Sequence, residues 1–182
     1  MSIVYYPTQP ASYGAELQFP HIGASDLTDQ YASADNTPTI VQWNTLDSAK
    51  GFTLASNAAT ATYKGIYKID YSLQYVNTDN EQREIDVWLR VNNVDLPGST
   101  TKFSIPARKS AGVNTYIVAY STVLFTVNAG DYFTLYWATD KAYSTTGPVD
   151  GVYMEYKPAQ TSPYNHPSIP SAIGAITFVS AV

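Results

Sequence analysis

The stretch IDVWLRVNNVDLPGSTTKFSIP, residues 85–106, has the clearest pattern in the chain. In its first half, Ile85, Val87, Leu89 and Val91 point one way, and Asp86, Trp88, Arg90 and Asn92 point the other. A period of two residues is typical of a β-strand with one face toward a core and the other toward water. The stretch carries no recognisable catalytic, metal-binding or phosphate-binding motif. We therefore interpret it as the scaffold of a β-sheet.

The same alternation continues outside this stretch. In IYKIDYSLQYV (66–76), apolar and aromatic residues occupy the odd positions, and polar residues occupy the even positions from 68 to 74. No helical period and no internal repeat occurs. The pattern predicts an all-β chain, a jelly-roll β-sandwich of about ten antiparallel strands. The predicted strands are 39–45, 51–56, 59–63, 66–76, 85–92, 101–106, 115–127, 132–139, 149–156 and 171–182.

Composition narrows the range of partners. The chain has 182 residues, the size of one domain, and no cysteine, which excludes thiol chemistry and disulfides. Its formal net charge is −5 and its 10 Lys and Arg residues are scattered, whereas nucleic-acid binding requires clustered positive charge. No window approaches the ~20 apolar residues of a membrane span, and the start, MSIVYYPTQP, does not resemble a secretory signal. We expect neither a nucleic-acid nor a membrane partner.

Residues 1–36 lack a sustained period and are interrupted by proline and glycine. They are predicted to form an irregular N-terminal arm, followed by a jelly-roll head over residues 37–182. The arm is expected to anchor the chain to a partner by strand addition or apolar contact. The candidate anchoring residues are Val4, Tyr5, Tyr6 and Phe19. The alternative is that the arm packs on its own head.

Two predicted strands, 115–127 and 132–139, are apolar on both faces. A sandwich gives each strand one buried and one solvated face, so the second apolar face needs another cover. Large exposed apolar patches are rare on monomers, and we expect other copies of the chain to cover these. The predicted interface residues are Tyr116, Val118, Tyr120, Leu124, Tyr132 and Tyr136. The alternative is a central strand that the arm or the proline-rich loop 157–170 covers.

Three segments, in this order, resemble a known family. They are YKGIYKIDYSLQYVNTDNEQREIDVWLRVNNVDLPGSTTKFSIP (63–106), VNAGDYFTLYWAT (127–139) and PSIPSAIGAITFVSAV (167–182). They resemble the jelly-roll head of the tumour necrosis factor and complement globular-head type, in the version common among bacteriophage virion proteins. The resemblance covers about residues 37–182. It implies a homotrimer in which the strands before and after the NAGDY turn lie near the threefold axis.

The resemblance also implies a virion role, as a capsid decoration or cement protein, a head fibre or the tip of a tail appendage. We expect a trimeric decoration protein that binds the major capsid protein or other virion proteins and stabilises the phage head, in a virion assembled in the host cytoplasm. A fibre generally has coiled-coil or collagen-like repeats, which this sequence lacks. The alternative is a head-fibre or tail-appendage tip that binds a bacterial surface receptor such as a glycan. Its candidate contacts are the loop tyrosines Tyr143, Tyr153, Tyr156 and Tyr164.

Neither catalysis nor cofactor binding is expected. The two histidines, His21 and His166, lie in the arm and the proline-rich loop, and no G-x-S-x-G or H-E-x-x-H motif occurs. The oxygen-rich residues Asp79, Asn80 and Glu81 are of the kind that bind calcium, but they match no calcium signature, and a solvated turn explains them more simply. We predict that the chain is not an enzyme and holds neither metal nor cofactor.

Overall fold

The computed structural model describes residues 19–147 and 149–182, which form fourteen β-strands and no helix. The strands are β1 (His21–Asp26), β2 (Gln30–Tyr31), β3 (Thr39–Ile40), β4 (Thr45–Lys50), β5 (Phe52–Ala55), β6 (Ala58–Ala61), β7 (Gly65–Asn77), β8 (Arg83–Val91), β9 (Val94–Asp95), β10 (Thr101–Ile105), β11 (Thr115–Val127), β12 (Tyr132–Thr139), β13 (Val152–Met154) and β14 (Ala172–Ser180). They pair antiparallel in two sheets. The predicted all-β sandwich is confirmed.

The first sheet is built around β7. This strand pairs along its whole length with β11, from Gly65 opposite Val127 to Asn77 opposite Thr115. On its other side, β7 pairs with β14 and, near its end, with β13. Next to β14 lie β1 and then β4, while β2 pairs with β13. Strands β11 and β4 are therefore the long edges of this sheet.

The second sheet has the strand order β10-β8-β12-β6-β5, with β3 also paired to β12 and β9 folded back on β8. The β8–β9 turn consists of Asn92 and Asn93, which have φ values of 50° and 65°. Positive φ at both central residues is what a two-residue hairpin of the type I′ class requires, and asparagine tolerates it. This turn fixes the register that places Arg90 opposite Asp95.

The core lies between the two sheets. Tyr67, Leu73 and Tyr75 of β7 are buried, and the Tyr75 ring centroid lies 5.2 Å from that of the buried Trp137 on β12. Full burial of a large side chain contributes roughly 1.5–3 kcal/mol to stability. The burial of β7 and β8 follows the alternation of residues 66–76 and 85–92, so both of these predictions are confirmed.

The predicted strand at 39–45 is divided between the two sheets. Strand β3 ends at Ile40 and pairs with β12, whereas β4 begins at Thr45 and pairs with β1. Between them, Trp43 packs so closely on Gly174 of β14 that a Cβ there would lie 2.8 Å from the indole. The sequence pattern misses β4 because this edge strand is mostly exposed and therefore has no apolar alternation.

Part of the segment predicted as an arm lies inside the first sheet. Strand β1 pairs with β14 on one side and with β4 on the other, and Ile22 and Ala24 are buried. In β2, the buried Gln30 side chain accepts a hydrogen bond from the Gln42 backbone N–H at 2.7 Å. The sandwich therefore includes residues 21–31, and the predicted boundary at residue 36 is not its edge. The small residues of HIGASD hide the alternation of β1.

Candidate interaction surface

The outer face of the first sheet, the side that points away from the core, carries an exposed apolar row on β11. Tyr116, Val118, Tyr120 and Leu124 alternate along this strand, and their exposed fractions are 52, 56, 59 and 62 %. Long apolar edge strands and contiguous apolar patches are unusual on a monomer. This row is the feature that indicates an interaction surface.

Two residues of β14 extend the apolar surface across the sheet. Ile173 and Val179 are exposed, at 43 and 51 %. Ile173 lies opposite Ser72 of β7, and Ser72 lies opposite Tyr120 of β11. Strand β7 therefore contributes a polar stripe between two strands with apolar outer side chains.

The polar stripe is internally hydrogen-bonded. Asp70 lies 2.7 Å from Lys68 Nζ, accepts a hydrogen bond from the Thr122 hydroxyl at 2.6 Å, and accepts one from the Tyr120 hydroxyl at 3.3 Å. Burial alone would raise the pKa of the Asp70 carboxyl, but the hydrogen bonds from Lys68 and Thr122 outweigh it and lower that pKa. Since the opposite charges are already paired, covering the stripe with another chain leaves no isolated charge.

A three-tyrosine cluster, Tyr31, Tyr143 and Tyr153, lies on the same outer face. Its ring centroids are 4.9 Å apart for Tyr143 and Tyr153, 5.3 Å for Tyr31 and Tyr153, and 5.8 Å for Tyr31 and Tyr143. Tyr153 lies opposite Val76 of β7, which in turn lies opposite Tyr116 of β11. Val76 is fully buried although its side chain points away from the core. The outer face is thus packed with aromatic side chains at this end.

A short polar chain connects the three-tyrosine cluster to the apolar row. The Tyr153 hydroxyl donates to Glu155 at 3.3 Å, and Lys157 Nζ lies 2.8 Å from Glu155. The same ammonium group lies 5.2 Å from the ring centroid of Tyr116, within the range of a cation–π contact. The three-tyrosine cluster and the apolar row of β11 therefore form one continuous surface.

The three-tyrosine cluster predicts a loss of stability at high pH. Burial, together with the hydrogen bond to Asp29, raises the pKa of Tyr31 from 10.0 to about 12, and burial also raises the pKa of Tyr153. Because the folded state favours the neutral phenol, this contribution is complete below pH 10.0 and is lost as the pH rises toward 12. Thermal unfolding midpoints should therefore fall over this interval.

Tyr31→Phe tests this prediction, and Tyr164→Phe is the matched control. The first removes the titrating phenol, so its unfolding midpoint should fall less between pH 10.0 and about 12 than that of the unsubstituted chain. Tyr164 is 69 % exposed in the proline-rich loop, and its substitution should leave the pH dependence unchanged. Equal pH dependence in all three proteins would contradict the role given to Tyr31.

The structure separates the six predicted interface residues. Tyr132 and Tyr136 lie on β12, in the second sheet, and their side chains point away from the core on the opposite side of the sandwich. Tyr136 is already covered in part, because the Arg90 guanidinium carbon lies 4.0 Å from its ring centroid. The two sets therefore lie on two separate surfaces of the subunit. The surface with Tyr116, Val118, Tyr120 and Leu124 is the more exposed of the two, and the interface role of Tyr132 and Tyr136 stays a prediction.

Of the predicted anchoring residues, Phe19 is described, and Val4, Tyr5 and Tyr6 lie outside the described residues. Phe19 stacks on Phe178 of β14, with ring centroids 6.4 Å apart and planes 9° apart. The chain therefore enters the sandwich beside β14. The part of the predicted arm from residue 19 onward packs on its own head.

The four loop tyrosines predicted as glycan contacts have different surroundings. Tyr143 and Tyr153 belong to the three-tyrosine cluster, and the Tyr156 backbone N–H donates to Asp29 at 2.8 Å. Tyr164 is 69 % exposed. Tyr31 was not predicted as part of any site, because its two-residue strand has no period that marks a face.

Asp79 and His21, which have side chains of the kind that bind metals or act in catalysis, are hydrogen-bonded within the chain. Asp79 accepts a hydrogen bond from Arg83 Nε at 3.0 Å, so the oxygen-rich loop that matches no calcium signature is held by a cation of the chain itself. His21 Nε2 lies 3.0 Å from the Ser48 hydroxyl, and its Nδ1 lies 2.8 Å from the backbone oxygen of Phe19. Within residues 19–147 and 149–182, no three acidic or histidine side chains are placed to share a metal ion. In the same ranges, no helix is long and apolar enough to cross a membrane.

No family model and no curated protein matches this chain. Among solved structures, Eiger TNF from S. frugiperda matches with a TM-score of 0.54 and 12 % identity, covering 90 % of this chain and 95 % of that chain. The globular domain of zebrafish complement 1qA protein matches with a TM-score of 0.46 and 11 % identity, covering 91 % of this chain and 100 % of that chain. The likeness to Eiger TNF shows the fold, and the predicted jelly-roll sandwich is confirmed. At this identity the likeness concerns the fold alone.

Proposed function

We propose that this chain forms a homotrimer through the outer face of the first sheet. The observation that carries the proposal is the row Tyr116, Val118, Tyr120 and Leu124, each more than half exposed in the single chain. Burying one such side chain contributes roughly 1.5–3 kcal/mol, and a closed ring buries the row in every copy. The sequence resemblance implies a trimer with the strands before and after the NAGDY turn, β11 and β12, near the threefold axis, and of these two β11 belongs to the first sheet.

The free edge of β11 supports this choice. Among the described residues, β7 is the one backbone partner along the thirteen residues of this strand. The unpaired N–H and C=O groups of such an edge favour association with other chains. A neighbouring subunit packed on β11 would cover the edge and the apolar row together.

The trimer, on this proposal, is a structural virion protein that decorates and stabilises a bacteriophage head. The support is that residues 63–106, 127–139 and 167–182 resemble the jelly-roll domains of bacteriophage virion proteins. In this arrangement the first sheet holds the subunits together, and the segment before Phe19 attaches them to the major capsid protein. Phe19, the first described residue, packs against Phe178 of β14.

Immunogold labelling of intact particles tests the location. An antibody against the purified trimer is expected to label the head surface at many positions, with no label at the tail. Label confined to the tail or to a fibre tip would contradict the decoration role and support the receptor-binding alternative. The observation that supports that alternative is Tyr164, which is 69 % exposed and whose ring centroid lies 5.8 Å from that of His166.

Removing residues 1–18 is expected to leave a folded trimer that no longer attaches to the head. Strand β1 begins at His21 and keeps both of its neighbours in this variant. Loss of apolar anchors at an interface typically weakens binding by about thirtyfold or more. The measurement is the amount of protein that co-sediments with heads lacking it.

Two further variants test whether lost attachment is due to the loss of anchoring residues. The Tyr5→Ala, Tyr6→Ala double variant should weaken attachment in the same direction while retaining every described strand. Removing residues 1–26 also deletes β1 and should abolish the folded trimer itself. Undiminished attachment of the 1–18 deletion would contradict the anchoring role of this segment.

A further inference from the structure

The outer face of the second sheet carries a group of four side chains that the trimer does not use. This Trp88 cluster consists of Trp88 and Arg90 on β8, Asp95 on β9 and Tyr136 on β12. Tyr136 lies opposite Trp88 across the β8–β12 pair, and Asp95 lies opposite Arg90 across the β8–β9 pair. All four residues are partly or largely exposed.

The side chains of the Trp88 cluster hold one another in place. The Trp88 indole N–H donates to Asp95 at 2.7 Å, and Arg90 Nε donates to the same carboxyl oxygen. The Trp88 and Tyr136 rings are stacked, with centroids 6.0 Å apart and planes at 27°. The Arg90 guanidinium carbon lies 4.0 Å from the Tyr136 ring centroid. The hydrogen bonds from Arg90 and Trp88 lower the pKa of Asp95, so this carboxyl is an ionised acceptor at neutral pH.

The backbone below the Trp88 cluster is also fixed. Asp95 lies just beyond the two-residue turn at Asn92 and Asn93 and is paired opposite Arg90. Asn92 further ties this turn to β12, because its side-chain amide donates to Asp131 at 2.8 Å and its oxygen accepts the Tyr132 backbone N–H at 3.1 Å. A site on paired strands with locked side chains is pre-organised for a small ligand.

We propose that the Trp88 cluster is a binding site for a neutral pyranose sugar. Aromatic rings offer flat apolar faces to the C–H groups of a sugar ring. A guanidinium group and a carboxylate side by side offer fixed donors and acceptors to neighbouring hydroxyl groups. The ion pair between Arg90 and Asp95 leaves the site without net charge, which favours a neutral sugar over an anion or a cation.

The surroundings favour a small ligand over a protein. A stable protein contact covers about 800 Å² on each partner and has few charged residues at its centre. On the same sheet, β8 and β10 carry a neighbouring ion-pair group in which Lys102 Nζ lies 2.7 Å from Glu84 and 3.5 Å from Asp86.

The site lies on the opposite side of the sandwich from the proposed trimer interface, so it does not depend on the proposed function. In a trimer, three such sites would be accessible.

Saturation-transfer NMR with methyl glycosides of glucose, galactose, mannose, rhamnose and N-acetylglucosamine tests the site. At least one sugar is expected to bind with a dissociation constant on the order of 1 mM, typical of a ligand of this size. Asp95→Asn should weaken that binding about tenfold, since it removes charge-assisted acceptors while retaining the shape of the side chain. Trp88→Ala should weaken it at least as much, and Tyr164→Ala should leave it unchanged.

The variants distinguish binding at the Trp88 cluster from binding at the proline-rich loop, and from effects of trimer formation. Asp95 is exposed, so Asp95→Asn retains the fold even where Trp88→Ala does not. Val118→Asp, which targets the trimer, should retain the affinity of each single site. The absence of binding by all five sugars at about 20 mM would overturn the proposal. Binding that survives Asp95→Asn, or that Tyr164→Ala removes, would overturn it as well.

Discussion

Replacing Val118 by aspartate is expected to convert the proposed trimer into folded monomers, and the same replacement at Val94 is expected to leave the proposed trimer intact. Both valines are exposed in the single chain, at 56 and 69 %, so neither change removes core packing. Their positions differ, because Val118 lies on the outer face of the first sheet and Val94 in the β8–β9 hairpin of the second. The two variants introduce the same charge and differ only in which surface carries it.

The effect at Val118 is large because the new carboxylate would be enclosed by a neighbouring subunit. A buried charge without a partner costs about 3–5 kcal/mol, and the residue opposite Val118 on β7 is the uncharged Gln74. Sedimentation equilibrium over a range of concentrations measures the change, and circular dichroism checks that both variants keep their sheets. A Val118→Asp protein that associates as tightly as the unsubstituted chain would show that the interface lies elsewhere. Dissociation of the Val94→Asp protein would show that a new charge on either surface disrupts association, so the two variants would not locate the interface.

Replacing Gly151 by alanine is expected to destabilise the subunit by about 3 kcal/mol. A Cβ at this position would lie 2.5 Å from the carbonyl carbon of Ala142 and 2.6 Å from both Ala142 O and Tyr143 N. All three are backbone atoms and cannot rotate away. Hydrogen bonds to Thr78, with Gly151 N donating to its hydroxyl at 3.0 Å and Gly151 O accepting its backbone N–H at 3.0 Å, restrict the movement of Gly151 itself. Since Tyr143 belongs to the three-tyrosine cluster, a shift here would also disturb the outer face.

Gly147→Ala is the matched control for this substitution. Nothing lies within 4 Å of a Cβ built on Gly147, so the change should stay within about 0.5 kcal/mol of the unsubstituted chain. Urea unfolding at one fixed protein concentration compares the variants, because association changes apparent stability. Equal stability of Gly151→Ala and Gly147→Ala would contradict the close packing of the 142–143 backbone on Gly151.

Strand β7 is the part of the fold that the sequence predicts best. Its outer face is polar from Lys68 to Gln74, and its inner face is apolar, so the alternation alone identifies the side that packs. Strand β8 follows the same rule. The rule fails for β1 and β4, because small residues in β1 and exposed polar residues in β4 leave no contrast between the faces.

The sequence pattern groups six candidate interface residues together, whereas the structure places them on two sheets, and β11 and β12 illustrate the physical reason. Alternation separates the two faces of a strand, but it does not say which sheet the strand joins. Strand β11 lies in the first sheet and β12 in the second, so their second apolar faces point to opposite sides of the sandwich. The apolar outer side of β12 has an explanation within the chain, since Tyr136 stacks with Trp88 and Arg90.

The three-tyrosine cluster could not be predicted from local sequence. Tyr31, Tyr143 and Tyr153 come from two short strands and a loop, and pairing of β2 with β13 brings the first and last together. No periodic signal links residues so distant along the chain. Only the strand order shows that they share a face with Tyr116.

Native mass spectrometry of the 182-residue chain at micromolar concentration tests most directly whether the outer face of the first sheet joins subunits. We predict one species of about 60 kDa, three times the 19.9 kDa of a single chain. In a parallel fluorescence measurement, Tyr116 and Tyr120 of this species should be protected from a soluble quencher. A species of about 20 kDa whose tyrosines on β11 are open to the quencher would contradict the trimer and the interface together.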